Sequence, residues 1–512
     1  MTRVRRRVRA LGLVAPLVLV AAACGSRVDL DDRAAAAAAS DGSLGGAGAQ
    51  SGSLTSATTF REGSTGQGPV GASQSAATSP TGGANAGGAS AAPVASADLD
   101  SGPATGFGWD EEEIRIGYLL WSDVSNAGSA VGYAVDYGDQ ERIATAITDD
   151  LNARGGIAGR KVVPVFYDYQ TGDLLTNGPG ADQAACSHFT EDTDVFAVIA
   201  VTGPQSEVLP QCLYDHQVAL IANDNIPYPR TYWERWTGFI HSTANPMTER
   251  LIPVWLQRSD AVGYFTGWDT TAGGPSMTAP VKIGIVRANA ESGELFRDIV
   301  ADALADLGHE ITSDYALDSA FDTNGMSSAV LQFRSAGVTH VIVESLFLLL
   351  FPQAAESQQY RPRYTVTTAN APLLVQSATP PQQLNGAVGV GYFPSYDVDT
   401  AHDPGDPSPA AAHCREIQAA AGNDPNQRES WNLQTKACDA FAFIAEAIRI
   451  AGLHTGALAE GAAQIRSLPP AGAFAITFGP GRPDGPGAVR DTGYDLACEC
   501  FVFTSATNHP LP

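Results

Sequence analysis

The polar residues best placed to do chemistry in this 512-residue chain stand in short runs directly after apolar stretches. Trp121-Ser122 follows Ile114 to Leu120, Thr202-Gly203-Pro204-Gln205-Ser206 follows Val195 to Val201, and Asn223-Asp224-Asn225 follows Ala219 to Ala222. Glu344 and Asn370 stand just after two further runs, which end at Val343 and Thr368. Hydroxyls, amides, acids and an indole are groups that hold a small molecule reversibly, by hydrogen bonds, ion pairing and stacking. Asn223-Asp224-Asn225 suits a ligand with hydroxyl or amide groups, and Glu344 suits an ammonium. The same residue types also serve turns and helix starts, so each has a purely local use as well. Covalent chemistry has weaker support. The Gly-x-Ser-x-Gly, His-Glu-x-x-His and phosphate-loop patterns are absent, and the nine histidines are scattered without a Ser or Cys partner in a recognisable motif. The expectation is binding, with no catalytic residue and no cofactor.

Charge narrows the partners. A formal net charge of −25 argues against nucleic acid, whose phosphates are bound by clustered Lys and Arg. It argues equally against adhesion to anionic lipid through a basic face. The N-terminus supplies another route to a membrane. Arg3, Arg5, Arg6, Arg7 and Arg9 precede an uncharged apolar run from Leu11 to Ala23, which stops at Cys24. Basic, apolar and small residues in that order predict a secretory signal peptide over 1–23. Val20-Ala21-Ala22-Ala23-Cys24-Gly25 resembles a bacterial lipobox, in which Cys24 is the acyl acceptor and becomes the mature N-terminus. The chain is thus expected on the outer face of the cell membrane, held by a lipid; the export route stays open. Residues 24–110 are dominated by Ala, Gly, Ser and Thr, too poor in large apolar side chains to offset the entropy of ordering, and read as a flexible tether. With Cys24 acylated, Cys186, Cys212, Cys414, Cys438, Cys498 and Cys500 remain. An even number in an exported chain suggests disulfides, with fifteen possible connectivities. A zinc site has less support, for no Cys-x-x-Cys pair occurs.

From Glu113 onward apolar runs alternate with helical periodicity. Ile114 to Leu120 reads as a buried strand. Asp139 to Arg154 carries Ile143, Ile147 and Leu151 at four-residue spacing, an amphipathic helix stopped by Gly155-Gly156. Strands at 162–166, 195–201 and 219–222 are spaced by helices near 182–189 and 207–217. The pattern restarts with strands at 281–286 and 339–343, helices at 294–307 and 327–335, strands at 364–368 and 386–392, and a helix over 434–451. The tail is expected to hold strands at 474–478 and 496–503. Strand–helix alternation predicts parallel sheets covered on both faces, with any ligand outside the carboxyl ends of the strands. That is where the polar runs lie.

The stretch Asp136-Tyr137-Gly138-Asp139-Gln140, with Asp150-Leu151-Asn152-Ala153-Arg154-Gly155-Gly156-Ile157-Ala158-Gly159-Arg160-Lys161, resembles the opening of type I periplasmic binding proteins. More narrowly, it is similar to the branched-chain amino-acid (Leu/Ile/Val) branch of ABC-importer receptors. The resemblance spans about 113–503. It implies an α/β fold of two similar lobes, each a mainly parallel sheet flanked by helices, joined by three crossovers, the first near 241–246. One lobe would comprise 111–245 and 393–472, the other 246–392 and 473–505. Lobe closure on a small ligand, a membrane permease partner and a monomeric state are implied with it. In this layout Cys186 pairs with Cys212 and Cys414 with Cys438, while Cys498 and Cys500 stay undecided.

Family ligands are held by small hydroxyls and backbone N–H groups at the carboxylate, and by an acid of the other lobe at the ammonium. Thr202 and Ser206, with Gly203 and Gln205 between them, fall at the first position, and Glu344 and Asn370 in the second lobe. Trp121 would stack on the ligand or wall the cleft beside Ser122. Two departures bear on the ligand. Pro204 lacks an N–H where the family often has Ser, and Thr368-Ala369-Asn370 stands where it often offers its ammonium-binding acid. The Gly/Thr/Ser-rich segment 263–278 is an addition to the family's second lobe. A sensor or envelope-interaction lipoprotein without a permease shares these features; a hydrolase is the remote alternative.

Overall fold

The computed structural model describes residues 105–512 apart from Val131. The expected signal peptide, Cys24 and the tether up to 104 lie outside the described residues. Gly106 to Asp110, assigned by sequence to the end of the tether, already belongs to the folded body: Trp109 is buried and meets Phe196 edge-on at 5.6 Å.

The first sheet is parallel and built of β1 (Glu113–Leu120), β2 (Lys161–Asp168), β3 (Ala197–Ala200), β4 (Ala219–Ala222) and β5 (Ile240–His241), in the order β2-β1-β3-β4-β5. Its central strands are buried on both faces, as the continuous apolar runs require. The helix Gln140–Ala153 is capped by the Asp139 carboxylate, which accepts from the Arg142 N–H at 3.0 Å. Asn152 explains its place in the recognised stretch: its amide bonds the N–H and C=O of Val162 at 2.7 and 2.9 Å, fastening the helix end to β2. Gly156 is equally constrained. It has φ +72°, and a Cβ there would meet the Arg160 carbonyl oxygen at 1.9 Å.

A small hairpin, β6 (Trp268–Asp269) and β7 (Gly274–Pro275), occupies the added segment. It is anchored by Trp268, whose indole N–H donates to the Arg361 carbonyl at 2.9 Å. The second sheet comprises β8 (Ile283–Ala288), β9 (Ile311–Leu317), β10 (His340–Val343), β11 (Arg363–Thr367), β12 (Val388–Gly391), β13 (Ala488–Asp495) and β14 (Cys500–Phe503), ordered β14-β13-β12-β11-β10-β8-β9. β15 (His509–Pro510) pairs with β13. The strands are parallel from β8 to β12, and β13 and β14 run antiparallel at the edge.

Several local expectations change. β9 was not expected, because Ile-Thr-Ser-Asp-Tyr-Ala-Leu is a half-buried edge strand without an apolar run. The segment 474–478 forms only isolated bridges, Leu468 to Ile476 and Ile476 to Pro486, and the tail strands are instead the hairpin β13–β14. β13 was hidden by its polar residues, Arg490, Asp491 and Thr492. The helix expected near 182–189 starts at Thr171 and tolerates Pro179 by leaving helical geometry at Asn177. Cys186–Cys212 and Cys414–Cys438 are bonded, and so is Cys498–Cys500.

The chain crosses between the sheets three times: after β5, after β12 and before β13. These passes meet around buried polar groups. Arg250, on the helix Thr248–Ala261, forms a buried ion pair with Asp484 of the third pass. It also donates to the carbonyls of Pro486, Leu511 and Pro512 at 3.0, 3.1 and 2.6 Å. Asp484 accepts in addition from the Met247 N–H at 2.8 Å. Removing one partner of such a pair strands the other in a dry site. Asp484→Ala should therefore lower the unfolding free energy by about 3–5 kcal/mol, read as a shifted midpoint in urea denaturation.

Candidate ligand-binding site

The carboxyl ends of both sheets face one cleft, and two cavities lie in it. The outer one, about 250 Å³, is lined by Pro204, Gln205, Ser206 and Tyr228 from the first lobe and by Glu291 and Ser292 from the second. The inner one, about 110 Å³, shares Tyr228 and Ser292 and reaches Trp255, Phe296, Glu344 and Thr367. The cleft is thus walled from both sheets, with an aromatic and aliphatic interior carrying a few polar groups. That composition is the usual one for small-molecule sites.

The residues singled out by sequence divide into three groups, apart from Asp224, whose carboxylate accepts from the Tyr228 hydroxyl at 2.6 Å and the Ile226 N–H at 3.2 Å. Gln205, Ser206 and Glu344 line the cavities. Thr202 is half-buried, and its buried hydroxyl has no hydrogen-bond partner. Gly203 has φ +76°, and a Cβ there would meet an Asp224 carboxylate oxygen at 2.1 Å. Its role is to let two loops approach.

Asn223, Asn225 and Asn370 form the second group, buried and largely committed to the protein. Asn223 donates to Thr243 Oγ1 at 2.7 Å and to the Lys436 carbonyl at 3.2 Å, and accepts from Ser242 Oγ and the Thr243 N–H, both at 2.9 Å. It pins the end of β4 to the first crossover. Asn225 sits at φ +67°, and its N–H donates to Asn245 Oδ1 at 2.8 Å. Its carbonyl accepts from the Tyr392 hydroxyl, a link from the second sheet into a first-lobe loop. Its own Oδ1 is buried without a partner. Asn370 donates to the carbonyls of Val343 and Ser345, both at 2.8 Å, and accepts from the Thr367 N–H at 2.8 Å, tying the ends of β10 and β11 together.

Trp121 and Ser122 form the third group, tied to the neighbouring strand end. The Trp121 indole donates to Thr171 Oγ1 at 3.0 Å, and its backbone is clamped by the Gln140 amide at 3.1 and 2.7 Å. Ser122 is exposed, and its N–H donates to Asp168 at 2.9 Å. Neither lines the two cavities. Trp233, Trp236 and Trp268 are buried packing residues.

Sequence reasoning missed four contributors. Tyr228 stacks on Tyr232 at 4.2 Å between ring centroids and walls both cavities. Trp255 enters from the helix Thr248–Ala261, where it reads as an ordinary core position. Lys436 lies buried on the helix Arg428–Ala451 and donates to the Val201 carbonyl at 2.7 Å. Burial pulls its ammonium down to about 7, opposed by the nearby Asp224. Asp182 is fully buried. It accepts from the Ser206 hydroxyl at 2.7 Å and the Gln205 N–H at 3.2 Å, and also from the Tyr169 hydroxyl. None of the four stands as a polar residue at the end of a strand-like apolar run, the signal used to find the others.

Among the described residues, Glu344 is the one acid reaching the inner cavity. Burial pushes its carboxyl up to about 7, opposed by the Ala288 N–H, which donates to it at 2.7 Å, and by Arg287.

No protein-family model and no curated protein sequence matches the chain. Solved structures do. A periplasmic binding protein type 1 from Bordetella pertussis Tohama I superposes with a TM-score of 0.53 at 15% identity, covering 78% of this chain and 100% of that one. The fold is that of the type I periplasmic binding proteins. A possible leucine/isoleucine/valine-binding protein from Rhodopirellula baltica SH 1 gives 0.53 at 11% identity, over 80% of this chain and 98% of that one. A solute-binding protein of an ABC transporter from Rhodopseudomonas palustris HaA2, in complex with p-hydroxybenzoic acid, gives 0.57 at 12%, over 78% and 98%. The type I architecture bears out the two-sheet α/β expectation and places the described cleft between its two lobes.

The Glu344 carboxyl has a raised value in the folded chain, so folding takes up a proton there. Its stability contribution is full below about 4.5 and is lost as pH rises through about 7. Glu344→Gln should raise stability by about 2 kcal/mol at pH 8 and change it little at pH 4, read by thermal denaturation of both chains across that range.

Proposed function

We propose that this chain is an exported, lipid-anchored solute-binding protein that delivers a small molecule to an ABC permease, and that it is not an enzyme. The observation that carries this reading is the two-walled cleft in the type I fold. A ligand touching Ser206 and Tyr228 on one side and Ser292 and Glu344 on the other favours the closed arrangement by its differential affinity. The signal-like N-terminus, Cys24 and the tether supply attachment to the membrane, and closure supplies the shape that a permease would read. Residues 111–245 with 393–472, and 246–392 with 473–505, are the proposed moving bodies.

The cleft also narrows the ligand. The Ser206 hydroxyl and Gln205 N–H, donors the resemblance would aim at a ligand carboxylate, are taken by Asp182. The protein's own carboxylate thus occupies that role. What remains is an apolar interior of Tyr228, Leu251, Ile252, Trp255 and Phe296, with Glu344 as an acceptor. This favours a ligand with an apolar body and a cationic or hydrogen-bond-donating group over a zwitterionic branched-chain amino acid.

Native mass spectrometry of the freshly purified chain, followed by calorimetric titration with apolar amines, aromatic alcohols and branched-chain amino acids, tests the reading. Saturable binding of an amine or alcohol is expected, with at least about tenfold weaker binding in Glu344→Gln. Turnover of any solute would defeat the binding role, and tight retention of leucine would defeat the ligand class alone.

A further inference from the structure

Away from the cleft, the second lobe carries a sulfur cluster that solute binding does not use. Cys498 and Cys500 are disulfide-bonded at the turn where β13 passes into β14. Cys498 is exposed, whereas Cys500 is 4% exposed. The His402 imidazole lies against Cys500, with Nδ1 at 3.5 Å and Nε2 at 3.8 Å from its Sγ. Asp399 fixes that ring: its carboxylate lies 2.7 Å from His402 Nδ1 and accepts the His402 backbone N–H at 3.0 Å. Between the two cysteines, Glu499 is held at φ +55°, a left-handed conformation that a non-glycine residue adopts at a cost.

These features divide labour between the two sulfurs. The rate of thiol–disulfide exchange depends on access to the attacked sulfur and on how well the departing sulfur carries negative charge. Cys498 offers the access. Cys500 has the oriented imidazole, which as imidazolium stabilises a thiolate. The bond closes a loop of only two residues' separation, so loop-closure entropy favours it far less than Cys186–Cys212 at 26 or Cys414–Cys438 at 24. Opening it would also free Glu499 from its left-handed backbone.

We propose that Cys498–Cys500 is a redox-active disulfide that exchanges with external thiols through attack at Cys498, with the His402 ring held beside the departing Cys500 sulfur. In the first step a thiolate forms a sulfur–sulfur bond to Cys498 Sγ. The Cys498–Cys500 bond breaks, and its electron pair departs on Cys500 Sγ. In the second step another thiol attacks the external sulfur of the mixed disulfide and releases the external disulfide. Two thiols are oxidised, one protein disulfide is reduced, and the two protons end on Cys498 and Cys500. His402 belongs to the segment that follows β12 toward the helices of the first lobe, which places the disulfide beside the second crossover.

The test places the purified full chain in graded mixtures of reduced and oxidised glutathione, with acid quench, alkylation and peptide mass spectrometry. Cys498 and Cys500 should become alkylated at ratios where the other two disulfides stay closed. Quenched glutathione adducts should fall on Cys498. His402→Gln should slow opening by about fivefold or more, with the near-ultraviolet circular dichroism of the folded chain retained; the adduct position in the unaltered chain decides the matter if that variant misfolds. Simultaneous opening of all three bonds, adducts shared equally with Cys500, or an unchanged rate in a folded His402→Gln chain would overturn the proposal. So would a reduced chain that captures added zinc on this cluster without ever exchanging with glutathione.

Discussion

The passes between the two sheets are fastened by the buried ion pair of Arg250 and Asp484. The guanidinium holds the first pass between the sheets, the third pass and the C-terminal residues at once, because a buried arginine has five donors to place and only protein acceptors to receive them. Its surroundings follow the same rule. Asn223 joins β4, the first crossover and the helix Arg428–Ala451 through one side chain, and Arg258 binds Asp491 of β13 through two hydrogen bonds of 2.9 and 2.6 Å. Three chain passes between two sheets would otherwise be a loose strap. Buried polar groups that bond across several passes at once favour a single arrangement of them.

That arrangement sets where the cleft lies and which side chains are spare. The loops after β3, β4, β10 and β11 are spent largely on holding one another, through Asn225, Asn245, Asn370 and Asp182. Polar residues at strand ends are therefore poor witnesses to ligand contact in this chain. The residues left facing the cavities are mostly apolar, with Glu344 and a few hydroxyls among them. A sparsely polar interior suits recognition of a small molecule by shape first and by one or two polar groups second.

Much of the fold was legible because parallel sheets buried on both faces write continuous apolar runs into a sequence. β1, β3, β4 and β10 were all recognisable in that way, and Asn152 with Gly155 and Gly156 marked the first helix-to-strand return. β9 was not, since a half-exposed edge strand carries Asp314, and neither was β13, whose buried Asp491 and Thr492 with Arg490 interrupt any apolar run. The site was legible only in part. Glu344, Ser206 and Gln205 were found by position after a strand, whereas Tyr228, Trp255, Lys436 and Asp182 reach the region by tertiary packing alone. Local sequence says that a side chain is polar or large; only the packed structure says what has already claimed it.

The triple crossover carries a consequence for how the protein is made. Ile116 and Ile143 of the first lobe share a buried cluster with Phe441, Ile444 and Ile448, which lie beyond nearly the whole second sheet in chain order. During synthesis the first lobe is therefore left with an apolar flank uncovered for some 300 residues, on the order of tens of seconds at ribosomal rates. A half-made chain of this design presents sticky β-rich surface until its late helices emerge.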